Sequence, residues 1–131
     1  MNGRGIPSIN EERYAVSSIA QNIDALIKKI SAQESLTYQE YRHDYHSVMM
    51  ELTQIWGEFQ LLTVDKKFIK GFEKMRKILL LLIDIDKIEK KHQKGSFMFL
   101  TTQVSKETRK DLAKYLKGVL KQVKQVQKIV E

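Results

Sequence analysis

Residues 105–131 read SKETRKDLAKYLKGVLKQVKQVQKIVE, and their periodicity predicts a two-faced helix. Seven lysines recur three or four residues apart, at Lys106, Lys110, Lys114, Lys117, Lys121, Lys124 and Lys128. An α-helix has about 3.6 residues per turn, so all seven share one face. Leucines and valines keep the same spacing two positions away, which is about 200° of rotation, so they form the opposite face. One face is suited to burial, and the other presents cations along about 33 Å.

Two capping boxes predict the starts of two earlier helices. Ser8 with Glu11 and Thr37 with Glu40 both match the S/T-x-x-E pattern. The first helix is expected to run to about residue 31. The second carries a strict heptad, which indicates packing against another helix at a shallow angle. The heptad consists of Tyr41, Tyr45, Val48, Leu52, Ile55, Phe59 and Leu62.

A third helix is predicted from about residue 65 to about residue 92. Its apolar stripe is Phe68, Phe72, Met75, Leu79 and Leu82, widened by Ile78, Leu80, Leu81 and Ile83. Gly95 fits a helix stop, and residues 96–103 fit an apolar connector before Ser105 caps the fourth helix. We therefore expect an all-α fold of about four helices, an elongated helical hairpin or bundle. An amino-terminal arm over residues 1–9 precedes a single helical domain over residues 10–131.

Composition limits the class of protein. The chain has 131 residues, a net charge of +7 and no cysteine, which excludes disulfide scaffolds, thiol catalysis and cysteine-ligated zinc. The longest apolar run, residues 78–83, is far shorter than the ~20 residues of a membrane-spanning helix, so we expect a soluble protein. Residues 1–65 hold five basic and nine acidic residues, whereas residues 66–131 hold eighteen and seven. This asymmetry suggests one surface for an anion and another for protein.

Two Glu-x-x-His pairs, Glu40 with His43 and Glu89 with His92, raise the possibility of a di-metal bundle. However, His43 lies about 200° from Tyr41 on a helix, outside the heptad seam, and the other inward carboxylates are missing. We therefore expect no metal site. No nucleophile constellation or phosphate-binding glycine loop occurs either, so we expect no enzyme, no cofactor and no small-molecule substrate. Trp56 is expected to be a core or interface aromatic.

The lysine face has two interpretations. Such faces are often merely solvated, but a face that serves solubility normally mixes charge signs, and this one holds only lysines. A second row, Lys66, Lys70, Lys74 and Lys77, repeats the spacing on the third helix. Two cationic rows can follow two lines of phosphate in contacts that do not depend on base sequence. Neither row has interleaved aromatic residues, which disfavours single-strand stacking.

The amino-terminal arm reads Gly3-Arg4-Gly5-Ile6-Pro7-Ser8 and is followed by Arg13-Tyr14. This pattern resembles the start of the major capsid proteins of rod-shaped and filamentous archaeal viruses. The resemblance implies small helical subunits that wrap double-stranded DNA, hold it in A-form and assemble as a filament, in some members with a related second capsid protein. It also implies that Arg4 and Arg13 contact phosphate. The carboxyl-terminal half departs from the rod-shaped pattern because it is richer in lysine.

The leading hypothesis is a filamentous virus capsid subunit that binds double-stranded DNA through its backbone. Such a subunit would form homo- or hetero-oligomers with a related subunit, and would reside in the virion and, before assembly, in the host cytoplasm. The nucleic-acid contacts would be the two arginines of the arm and the eleven lysines of the two rows. The alternative is a small helical protein-interaction module, such as an immunity-type bundle or a secretion partner. A third possibility is a nucleoid or regulatory DNA binder without filaments.

Overall fold

The computed structural model describes residues 7–32, 35–62, 65–93 and 103–131. Four α-helices account for most of them: α1 (Ile9–Ala32), α2 (Tyr38–Gln60), α3 (Lys66–Gln93) and α4 (Lys106–Val130). The predicted all-α fold of four helices is confirmed, with helix boundaries within about two residues of those expected.

Short polar side chains begin the helices as the sequence predicts. Each cap accepts a backbone N–H that the first helical turn would otherwise leave unpaired. The distances are 3.0 Å from Glu11 N to Ser8 Oγ, 3.2 Å from Glu40 N to Thr37 Oγ1 and 3.2 Å from Thr108 N to Ser105 Oγ. Asp65 does the same for α3, where its Oδ1 accepts from Lys67 N at 2.9 Å.

The helices form an antiparallel bundle in which each packs against its neighbours in the order α1, α2, α3, α4 and back to α1. The end of α1 meets the start of α2 through the ion pair between Lys29 and Asp44, at 2.6 Å. The end of α2 meets the start of α3 through the edge-to-face rings of Phe59 and Phe68, 5.0 Å apart. Arg13 at the start of α1 donates to the backbone carbonyl of Val130 at the end of α4.

The core lies along the predicted apolar faces. All seven predicted heptad residues are buried, six within α2 and Leu62 just after it, and so is the leucine–valine stripe of α4. The expectation for α3 is only partly right, because Leu80 is 58% exposed and Ile83 is 50% exposed, while Phe68, Met75 and Leu82 are buried. The run 78–83 is apolar all the way round the helix, so only part of it can face the core.

Two connections are joined at one end of the bundle by contacts that we call the clasp. Val104 N donates to the Leu36 carbonyl at 2.7 Å, and Thr37 forms an antiparallel bridge with Gln103. Ser35 Oγ and Gln103 Oε1 lie 3.0 Å apart. The clasp holds the start of α4 against the α1–α2 connection. The predicted stop at Gly95 and most of the predicted apolar connector, residues 96–102, lie outside the described residues.

Candidate nucleic-acid interface

The seven lysines of α4, which we call the lysine ridge, are all exposed. They occupy the face opposite the stripe that α4 buries in the core, as the spacing predicts. The ridge members are Lys106, Lys110, Lys114, Lys117, Lys121, Lys124 and Lys128. The helix holds eight basic residues and only two acidic ones, so the ridge has little opposing charge on its own element.

The ridge lysines have no acidic partner within the described parts of the chain. The ion pairs found there join Lys28 to Asp24, Lys29 to Asp44 and Lys87 to Asp84. Like charges three and four residues apart repel one another, so the ridge costs the folded protein stability unless an anion covers it. An unpaired, one-sided row of this kind is the electrostatic footprint expected of a polyanion-binding surface.

The second predicted row lies on α3, which packs against α4. Lys66, Lys70 and Lys77 are exposed, Lys74 is partly exposed, and none forms an ion pair among the described residues. Lys67, next to this row, donates to the Glu131 carbonyl at 2.8 Å. Because α3 and α4 are antiparallel, this contact places the α3 row beside the carboxyl-terminal half of α4.

The first half of the ridge instead borders a groove between α4 and the end of α1, with a volume of about 410 Å³. We call it the α1–α4 groove. It is lined by Ile30, Ser31, Lys106, Arg109, Lys110, Ala113, Lys114 and Lys117, with no acidic side chain among them. Ile30 and Ala113, which are 1% and 7% exposed, give the groove an apolar floor.

Along the second half of the ridge, a depression of about 420 Å³ is lined by side chains of α4 alone. These are Lys117, Leu120, Lys121, Lys124, Gln125 and Lys128. The two halves of the ridge therefore carry similar charge but differ in shape.

The structure describes one of the two arginines that the resemblance assigns to phosphate contacts. Arg4 lies outside the described residues. Arg13 is partly buried, and its Nε donates to the Val130 carbonyl. Its Nη1 lies 3.5 Å from Asn10 Oδ1. A cation at the end of α4 interacts favourably with the helix dipole, so the structure gives Arg13 a role in joining α1 to α4.

Sequence periodicity missed the α1 side of the groove. Arg109 falls outside the spacing of the ridge, and Ile30 and Ser31 belong to a helix about 80 residues earlier in the chain. No local signal in the sequence brings these residues together, because the pairing depends on how the helices are arranged in the bundle.

The other predicted sites can be placed briefly. His43 and His46 are exposed, and the side chains described for residues 7–32, 35–62, 65–93 and 103–131 contain no cluster suited to a metal ion. The side chains of Glu89 and His92 lie outside those described. Trp56 is partly buried and stacks on Phe72, with ring centroids 5.2 Å apart. No helix in these ranges is long and apolar enough to cross a membrane.

Comparisons with protein-family models, with curated proteins and with solved structures each found no match to this chain.

Proposed function

We propose that this protein is a structural DNA-coating protein, a capsid subunit of a filamentous virus, that binds duplex DNA through phosphate contacts. The observation that carries the proposal is the lysine ridge, seven exposed ammonium groups on one face with no acidic partner among the described residues. Lysine presents a flexible point charge, which suits phosphate but does not read bases.

The dimensions of the ridge support a linear polyanion as the ligand. Lys106 and Lys128 are 22 residues apart, which is about 33 Å along the helix axis. That length spans several phosphates of either strand of a duplex. The row on α3 lies level with the second half of the ridge along the bundle and adds cations to that end of the protein.

A coating protein also needs surfaces that contact neighbouring subunits. The α3 residues Ile69, Leu80 and Ile83 are large apolar side chains exposed by 38%, 58% and 50%. Ile69 and Leu80 border the lysine row, because each lies three residues after one of its members, and with Ile83 they extend toward the flank of α3 that faces α2. We assign this apolar face to contact with another subunit, of the same or a related kind, which leaves the lysine ridge of α4 free for DNA.

We assign the DNA contacts chiefly to the lysines, whereas Arg13 joins α1 to α4 within the fold. It places the protein in the virion, with the host cytoplasm as its location before assembly. The amino-terminal arm with Arg4 remains a predicted phosphate contact on the basis of the resemblance alone.

The salt dependence of DNA binding tests this function. Seven phosphate contacts correspond to a fall in log K of about 6 for each tenfold rise in salt. We expect linear duplex DNA of random sequence to bind with a steep slope and to yield regular nucleoprotein filaments in electron micrographs. A variant with Lys110→Gln, Lys117→Gln and Lys124→Gln should lower the slope by about 3.

The matched control is Lys28→Gln, which removes one positive charge from α1, where Lys28 is exposed and pairs with Asp24. This variant should leave the slope unchanged within about 0.5. An affinity for duplex DNA that does not change between low and moderate salt would contradict the DNA-coating function. Free monomers without filaments at saturating DNA would contradict it as well.

The second candidate is a protein-interaction module, which the exposed Leu80 and Ile83 also favour. In that case the apolar face and the lysines would contact one acidic protein partner. Duplex DNA would then bind weakly, and substitution of Leu80 would abolish binding to that partner.

A further inference from the structure

We propose that the α1–α4 groove is a nucleotide-unit site, in which Lys106, Lys110 and Lys114 bind a phosphate ester and the apolar floor packs against its sugar or base. The inference deepens the proposed function, on which it rests, by naming the chemical unit that one part of the ridge takes. The unit is a phosphorylated nucleoside, either within a nucleic-acid strand or as a free nucleotide.

The shape of the groove suits a small amphipathic ligand. Its volume of about 410 Å³ falls within the range typical of sites for small molecules. Ile30 and Ala113 are almost fully buried and form the floor, so the apolar surface that a ligand can reach belongs chiefly to the lysine stems around it. A phosphate ester combines an anionic group with a less polar body, so the ammonium groups can bind the first and the lysine stems and floor can pack against the second.

The charge around the groove favours an anion. Among the described residues its lining includes the exposed side chains of Lys106, Lys110, Lys114 and Lys117 and no carboxylate. The groove between α1 and α2, by contrast, is lined by Lys29 together with Asp44 and Glu51, so carboxylates outnumber cations there. The α1–α4 groove therefore needs an external anion to compensate its charge.

The position of the groove on the helix also favours an anion. Lys106 and Lys110 lie in the first turns of α4, where the helix dipole is positive. Glu107 in the first turn favours the folded helix, whereas lysine at this end opposes the dipole but strengthens the field that acts on an anion. A pattern that costs stability and strengthens anion binding is expected at a functional site.

The groove is held open by contacts that do not depend on a ligand. The clasp fixes the start of α4 through the 2.7 Å hydrogen bond from Val104 N to the Leu36 carbonyl. Leu36 and Val104 are themselves buried, at 1% and 4% exposed. The two helices that line the groove are therefore preorganised, which lowers the entropy lost on binding.

Two triple variants test the proposal because they remove equal charge from the same face of one helix. The groove variant carries Lys106→Gln, Lys110→Gln and Lys114→Gln, and the control carries Lys121→Gln, Lys124→Gln and Lys128→Gln. The probe is a fluorescent adenosine triphosphate analogue, measured by anisotropy at low salt. We expect the groove variant to lose affinity about tenfold or more and the control to change about threefold or less. Circular dichroism verifies that both variants fold.

A second variant keeps the test decisive if the groove triple variant does not fold. Ser31 is exposed at the mouth of the groove, so Ser31→Glu adds a negative charge without disturbing the core. It should weaken probe binding about threefold or more by repulsion. In ¹H–¹⁵N spectra of the wild-type protein, the probe should shift the amides of Ile30, Ser31 and Ala113 before those of the second half of α4.

Equal losses in both triple variants, or amide shifts spread evenly along α4, would overturn the site in favour of diffuse attraction by the ridge. Failure of the wild-type protein to bind the probe would also overturn it. Duplex DNA measured in parallel separates the two proposals. If duplex DNA binds with a steep salt dependence but the probe does not bind, only the nucleotide site in the groove is contradicted. If the probe binds but duplex DNA does not, only the DNA-coating function is contradicted. If a short single-stranded oligonucleotide binds more tightly than the free nucleotide, the natural ligand of the groove is a nucleotide within a nucleic-acid strand.

Discussion

The Tyr45 hydroxyl of α2 donates a 2.9 Å hydrogen bond to the Leu82 carbonyl of α3, and both residues are buried. The core around this bond is built from aliphatic and aromatic side chains. The bond joins a point about two turns after the start of α2 to a point about three turns before the end of α3, and it therefore helps to fix their register. A buried hydroxyl that lacked such an acceptor would destabilise the fold.

Removing this hydroxyl should lower stability without disturbing the shape of the core. We expect Tyr45→Phe to reduce the free energy of unfolding in urea by about 1 kcal/mol, because a buried carbonyl loses its donor. Tyr14→Phe is the matched control, since Tyr14 is 76% exposed and should change stability by less than about 0.5 kcal/mol. Equal effects at the two positions would contradict the assigned hydrogen bond.

Three helical glycines should respond to alanine with opposite signs. A Cβ on Gly71 would lie 2.8 Å from Cε2 of Phe59, so Gly71→Ala should cost about 1–2 kcal/mol through overpacking. Gly57 and Gly118 have open space at the same position, so alanine there should stabilise the protein by about 0.5–1 kcal/mol through helix propensity. Thermal unfolding of the three variants measures the signs, and a stabilising Gly71→Ala would show that α3 and Phe59 are less closely packed.

The cap of α4 should contribute measurably because it begins the helix that carries the ridge. Ser105 Oγ accepts from Thr108 N and donates to Thr108 Oγ1 at 2.8 Å, beside a fully buried Thr108. We expect Ser105→Ala to cost about 1 kcal/mol and Ser105→Asp to preserve stability, because aspartate is an equally good cap. Urea denaturation measures both, and an unaffected Ser105→Ala variant would refute the cap.

Arg13 and Lys121 should separate stability from DNA binding. Arg13 donates to the Val130 carbonyl, so Arg13→Gln should lower the free energy of unfolding by about 1 kcal/mol and leave the salt slope of DNA binding unchanged. Lys121 is exposed and unpaired among the described residues, so Lys121→Gln should leave stability unchanged and lower the slope by about 0.9. If Arg13→Gln lowers the salt slope of DNA binding, Arg13 contacts phosphate as the resemblance implies.

The apolar face of α3 should control self-association. Leu80 and Ile83 are at least half exposed, so the double variant Leu80→Gln, Ile83→Gln should fold with a stability change of about 0.5 kcal/mol or less. It should sediment as a monomer at concentrations where the wild-type protein associates. Met50→Gln is the control, because Met50 is 59% exposed on α2 and lies outside this face. Unchanged sedimentation of the double variant would remove the face as a subunit contact.

Much of the fold could be predicted because its determinants are local. The caps at Thr37 and Ser105 depend on residues three positions apart, and the stripes of α1, α2 and α4 depend on spacings of three and four. The outer residues of α3 could not be assigned, because an apolar run has no polar face to give its orientation. Leu80 and Ile83 are exposed for reasons of bundle geometry that no local spacing contains.

The ridge could be predicted from spacing, but the groove beside it could not. The ridge is a property of one helix, whereas the groove requires residues 30–31 and 106–117 to meet through the antiparallel order of the bundle. The partner of Arg13 is likewise 117 residues away in the chain. The sequence shows which side chains carry charge, and the packing of the helices determines which of them are exposed to a ligand.

The contact between Arg13 and Val130 also determines where a reporter can be attached. It places the start of α1 and the end of α4 side by side, at the end of the bundle opposite the clasp. A fluorescent domain fused after Glu131 would lie about 21 Å along the helix axis from Lys117, the nearest lysine of the α1–α4 groove, because 14 residues separate them at about 1.5 Å each. Such a label can follow assembly in real time while the groove and the first half of α4 remain uncovered.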